Sequence, residues 1–154
     1  MAFKNKAERM SAFVDELGAG EGTALHACYA GFFKCFNEQR YYEAHDVLEH
    51  LWLKGRDENY AYFKGLIQIA GAFVHLQKQF LRPEHPKDGR RLRPAARLFR
   101  LGMKNIDGYR PRHLQCDVDA LYEMCEERVE KIVASDFQVN PWRPDRAPVI
   151  SLEG

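Results

Sequence analysis

Residues 58–81 read ENYAYFKGLIQIAGAFVHLQKQFL, and this stretch decides the fold. At about 100° per residue, Gln68 and His75 lie within roughly 20° of each other on a helix. Ala61, Gly65, Gly71 and Ala72 flank them, small residues that let a second backbone approach closely. Phe63, Leu66, Ile67, Ile69, Phe73, Val74 and Leu76 cover much of the remaining circumference. A helix that is apolar on most sides is one surrounded by neighbours. It is no membrane span, because Gln68 interrupts its apolar run well short of the roughly 18 residues needed.

Working outward, each flanking segment also has helical period. Phe3, Ala7, Met10, Val14 and Leu17 form one stripe of a helix over residues 4–17. Gly18, Gly20 and Gly22 break it, and Thr23 is placed to cap a helix running to Phe36. A third helix spans 41–54, with Gly55 as its left-handed terminator and Asp57 as cap of the 58–81 helix. Pro83 and Pro86 mark a loop before a basic helix over 87–105, where Pro94 predicts a kink or a late start. Asp117 caps a last helix to Ala134. No strand pair suggests itself. The tail from Ser135, with Pro141, Pro144 and Pro148, reads as extended over the body, with Trp142 docking in a groove. The expectation is an all-α, single-domain bundle of five to six helices with an extended C-terminal tail. Its divisions are an N-terminal helix and Gly-rich connection (1–22), the bundle (23–134) and the tail (135–154).

Composition agrees: 154 residues, 45% hydrophobic and 29% charged, suit one globular domain. Charge follows directly on Met-Ala-Phe, where a secretory signal places an apolar block, so a cytoplasmic location without a membrane is expected. Cys28, Cys35, Cys116 and Cys125 contain no pair at zinc-knuckle spacing and read as small buried hydrophobes. Surplus apolar residues on several helices permit a homodimer. The net charge of +1 hides an asymmetry. Residues 78–113 hold eleven Lys and Arg against Glu84, Asp88 and Asp107, a net of +8. Either this is a solvated helix face, or Arg90, Arg91 and Arg97 within it meet nucleic acid or another acidic partner.

One constellation carries chemistry. On the 41–54 helix, Tyr41, His45, Glu49 and Trp52 share a ridge at the margin of the apolar face, while Glu43, Asp46 and His50 point to solvent. His45 and Glu49 need partners there, and Gln68 and His75 can face them across a close helix pair. The resulting pocket of His45, Glu49, Trp52, Gln68, His75 and Tyr41 fits three readings. His45, Glu49 and His75 bind a divalent metal; His45 serves as an acid–base group tuned by Glu49, with Tyr41, Tyr42 and Tyr62 supplying hydroxyls; or the set is a satisfied polar network with Trp52 as core anchor. The His-Glu-x-x-His and Glu-x-x-His signatures of zinc and di-iron sites are absent.

The stretch Phe36-Asn37 with Tyr41 to Trp52 resembles the bacterial and archaeal family called domain of unknown function 309. Its hallmark is a His, a Glu four residues on and a Trp or Tyr three further, here His45, Glu49 and Trp52. Residues 63–70 with His75 resemble its second block, and 89–92 and 117–121 its weaker later segments, so the likeness spans about 25 to 134. Asp46 departs from the pattern, standing where the family has Glu, and Pro94 is a second departure. The resemblance implies a small helical bundle with a suspected functional motif and no established activity. Two functions stay open: a pocket for a small ligand or metal, or an interaction module in which that motif is structural and segment 78–113 binds the partner.

Overall fold

A computed structural model describes residues 5–20 and 25–153. Six α-helices follow in order: α1 Lys6–Leu17, α2 Ala27–Asn37, α3 Tyr41–Trp52, α4 Tyr60–Leu81, α5 Leu92–Ile106 and α6 Val118–Ala134. The protein is all-α apart from an antiparallel ladder of two residues on each side, Arg112–His113 against Cys116–Asp117, which the sequence reading missed.

Local chemistry sets most of the ends. Asn5 accepts the Glu8 N–H to start α1, and Gly18 closes it at φ 62°. Met10, Val14 and Leu17 bury the α1 stripe, but Ala7 is exposed, and Phe3 lies outside the described residues. Helix α2 starts at Ala27 with His26 as its cap, later than expected; Gly22 and Thr23 lie outside the described residues. It ends in a Schellman motif: Arg40 N–H donates to Cys35 O at 2.8 Å and Gln39 N–H to Phe36 O at 3.0 Å, with Gln39 at φ 62°. Gly55 does not terminate α3 in the left-handed region; the helix stops at Trp52 and turns through Leu53 and Lys54. Asp57 accepts from Asn59 N–H at 2.8 Å, turning the chain toward α4 rather than capping its first turn. Helix α5 takes the late start, with Pro94 in its first turn. Asp117 caps α6 through Ala120 N–H at 3.0 Å, as expected.

Helix α4 is the centre, packed between α3 and α5. Its inner face (Leu66, Ile69, Phe73 and Leu76) is almost entirely buried, as are Phe36, Tyr41 and Leu48 from α2 and α3 and Phe99 and Ile106 from α5. All four cysteines are buried and free. The tail crosses α2, α3 and α4. Asn140 Nδ2 donates to Leu76 O at 2.8 Å, buried Trp142 donates its indole N–H to Tyr41 Oη at 3.0 Å, and Asn37 exchanges two 2.8 Å bonds with the Ile150 backbone. Among the described residues, no helix is long and apolar enough to cross a membrane.

Candidate functional site

Helix α3 presents His45 and Glu49 half-exposed beside α1. The carboxylate that holds His45 is Asp46, whose Oδ1 lies 3.1 Å from Nδ1. A carboxylate only accepts, so the Nδ1 proton makes this bond and the Nε2 lone pair is left for another partner. Glu49 Oε2 sits 3.8 Å from Nε2, too far for a hydrogen bond. Its other oxygen is 3.5 Å from Lys6 Nζ on α1, an exposed pair of small energetic weight. Asp46, expected in solvent, is only 18% exposed, and His50 is half-buried; the residue that does face water is Tyr42.

Gln68 and His75 do not join this cluster. The small-residue stripe around them faces α5, because that is where a matching glycine lies. A Cβ on Gly65 would stand 3.0 Å from Gly102 O, and one on Gly102 would stand 3.0 Å from Gly65 O. Across this crossing Gln68 Oε1 accepts from Asn105 Nδ2 at 2.7 Å, and His75 Nδ1 meets Arg91 Nη1 at 3.0 Å. Arginine has no acceptor, so His75 Nδ1 accepts and its proton sits on Nε2. Burial, then the neighbouring cations Arg91 and Lys78, pull the His75 pKa down.

The two remaining pocket residues are also elsewhere engaged. Tyr41 is fully buried and its hydroxyl accepts from Trp142. Trp52 is a margin residue rather than a core anchor: its ring stacks on Tyr60 at 5.0 Å, and its indole N–H finds no acceptor among the described residues. Tyr62 serves no hydroxyl to His45. It pairs with Tyr29 at 2.7 Å, Tyr29 in turn donating to Leu114 O, and burial pushes both phenol pKa values up. The predicted metal set of His45, Glu49 and His75 is therefore split between the α1 side of α3 and the α5 side of α4. Among the described residues, no group of three or more His, Cys, Asp or Glu is arranged to hold a metal ion.

The basic segment divides in two. Arg91 is corrected from a polyanion contact to a structural residue. Only 12% exposed, it donates from Nε to Asp88 Oδ1 at 3.1 Å and from Nη2 to the same oxygen, besides holding His75. Asp88, which Arg82 also contacts at 2.9 Å, is the one buried charged residue described, and its carboxyl is held below its ordinary pKa chiefly by the Arg91 hydrogen bonds. Arg90 and Arg97 are exposed, and so are Arg93, Arg100 and Lys104. No carboxylate of the described residues forms an ion pair with any of these five. Sequence reasoning counted these charges without separating them, although the spacing of 93, 97, 100 and 104 on one ridge was legible.

The fold and site thus define a small all-α bundle with a polar His–Asp–Glu cluster on α3 and an arginine-rich outer helix. Residues 29–83, from α2 through α4, match the model of the family described as domain of unknown function (DUF309). The match contains His45, Glu49, Trp52, Gln68 and His75 and stops short of α5 and α6, so 89–92 and 117–121 fall outside it. No curated protein and no solved structure matches the chain.

Proposed function

We propose that this protein is a nucleic-acid-binding module whose contact surface is the outer face of α5. The observation that carries this reading is the row Arg93, Arg97, Arg100 and Lys104: all exposed, one above another on a single ridge, and without carboxylate partners among the described residues. The ridge is about 16 Å long at the rise of an α-helix. One strand of a B-form duplex carries about five phosphates over that length. Opposite this face, Ala95, Ala96, Phe99, Gly102 and Ile106 anchor the helix to the core, so the row is presented on a rigid element.

On this reading the His45 cluster is local scaffolding between α3 and α1. Binding of a fluorescent single-stranded oligonucleotide, followed by anisotropy across a salt series, tests the proposal. Four phosphate contacts predict a slope of roughly −3 in log K against log salt. The double variant Arg97→Glu/Arg100→Glu, confined to exposed positions, is expected to abolish binding while leaving the circular dichroism spectrum unchanged. Undiminished binding by that variant at low salt rejects the proposal.

A further inference from the structure

A cleft of about 520 Å³ opens where α5 begins, lined by Gln79 of α4, Gly89, Arg90, Arg93, and Phe137 and Gln138 beyond α6. We infer that this cleft binds a phosphomonoester, the group shared by the phosphorylated end of a nucleic-acid strand and a free nucleotide. The strand-end case rests on the reading of α5 given above.

Three features of the cleft support the inference. Its lining contains two guanidinium groups and no carboxylate. Neither guanidinium hydrogen-bonds to another described residue, and the Arg93 guanidinium carbon lies over the Phe137 ring, 4.2 Å from its centroid. Gln79 adds an amide: its Oε1 accepts from Arg91 N–H at 2.7 Å, which leaves Nε2 as a donor.

Both walls are fixed in advance. On one side the turn is pinned by Asp88 through Arg91 and Arg82, and a Cβ on Gly89 would strike the carbonyls of Pro83 and His85. On the other, α6 ends in a Schellman motif, with Asp136 N–H donating to Val133 O and Phe137 N–H to Ile132 O, both at 2.9 Å. Asp136 and Phe137 sit at φ 55° and 60°, which folds the aromatic ring back against Arg93.

A phosphomonoester carries about −1.5 to −2 charge at neutral pH and presents three strong acceptor oxygens. Two arginines therefore favour it over the single charge of an internal phosphodiester. The cleft also lies at the Arg93 end of the α5 row, so a strand laid along that row brings its terminus to it.

The test compares one oligonucleotide with a 5′-phosphate, with a 3′-phosphate and with hydroxyl ends, against the wild type, Arg90→Ala/Arg93→Ala and Arg97→Glu/Arg100→Glu. Adenosine monophosphate is titrated in parallel, with the arginine side-chain NMR signals as readout. One terminal phosphate is expected to tighten binding roughly tenfold, and Arg90→Ala/Arg93→Ala to return that ratio to one. Because Arg93 also belongs to the α5 row, this variant holds hydroxyl-ended strands more weakly than the wild type does, and the ratio between phosphorylated and hydroxyl ends is the readout. Equal affinity for all three strands, with no response to adenosine monophosphate, overturns the inference and leaves the α5 reading standing. If no strand binds but the nucleotide perturbs Arg90 and Arg93, the cleft is a free-nucleotide site and the α5 reading falls. Silence from every probe overturns both.

Discussion

Gly65 and Gly102 meet backbone to backbone at the crossing of α4 and α5. A Cβ on Gly102 would lie 2.6 Å from Ile69 Cγ1, and one on Gly65 would lie 2.6 Å from Ile106 Cγ2. The Gln68–Asn105 bond spans the same interface. Alanine has the higher helix propensity, worth up to about 1 kcal/mol, but overpacking a fitted core costs about 1–3 kcal/mol. Gly102→Ala is therefore expected to lower stability by about 1–2 kcal/mol. Urea unfolding checks this through the midpoint at unchanged slope; a midpoint equal to or above wild type means that the crossing yields at no cost.

Stability should fall as the solution is acidified below about pH 6.5. His75 is held neutral by burial and by Arg91, so its folded pKa lies below its ordinary 6.5. Between the two values the unfolded chain binds more protons than the folded one, so unfolding gains ground as pH drops through that window. His26, His50 and His113 are also lowered, chiefly by burial, and act in the same direction. His75→Asn keeps an acceptor for Arg91 and removes the titration. It should flatten part of the pH dependence in melting curves between pH 7 and pH 5, and an unaltered profile would show that His75 is not one of the responsible groups.

Removing the tail's anchor should be the most damaging of these single changes. Trp142 is buried against Tyr41 and Phe80 and donates to the Tyr41 hydroxyl. Trp142→Ala is expected to cost about 3–5 kcal/mol, in the range for large aromatics truncated in cores. Trp142→Phe, which keeps most of the ring and loses the hydrogen bond, should cost less. Chemical denaturation of both variants gives the ordering; equal losses would count against the ring packing, and a Trp142→Phe variant as stable as wild type would count against the hydrogen bond.

At the α3 cluster, the carboxylate orienting His45 is identified by its tautomer. Long-range proton–nitrogen NMR should find the proton of neutral His45 on Nδ1, facing Asp46. Asp46→Asn is expected to change that pattern and Glu49→Gln to leave it in place. The reverse result would return Glu49 to the role assigned from helix spacing.

Helix positions were readable in the sequence because their signals are local. Asp117 acts as a cap and Pro94 delays α5 through contacts within a turn of chain. The Schellman ends at Gln39 and Asp136 were not readable, since neither carries the glycine that usually marks a left-handed residue. In the site, period 3.6 correctly put Gln68 and His75 on one stripe with small neighbours. Periodicity says what shares a face, however, and not which helix the face meets. Gly102 on α5 was the available clue that it meets α5. Likewise, a charge count makes Arg90 and Arg91 equals, and only the burial of Asp88 separates a structural arginine from a solvent-facing one.

The contacts of Trp142 and Ile150 also bear on how the chain matures. Asn37 and Tyr41 belong to the segment that carries the family match, yet their polar partners are supplied more than a hundred residues later. During synthesis from the N-terminus, α2 and α3 emerge while the Tyr41 hydroxyl and the Asn37 amide still lack those partners. The seam over α2 and α3 closes only when Trp142 and Ile150 arrive, so a ribosome that halts before Trp142 releases a chain with an open seam over its own core.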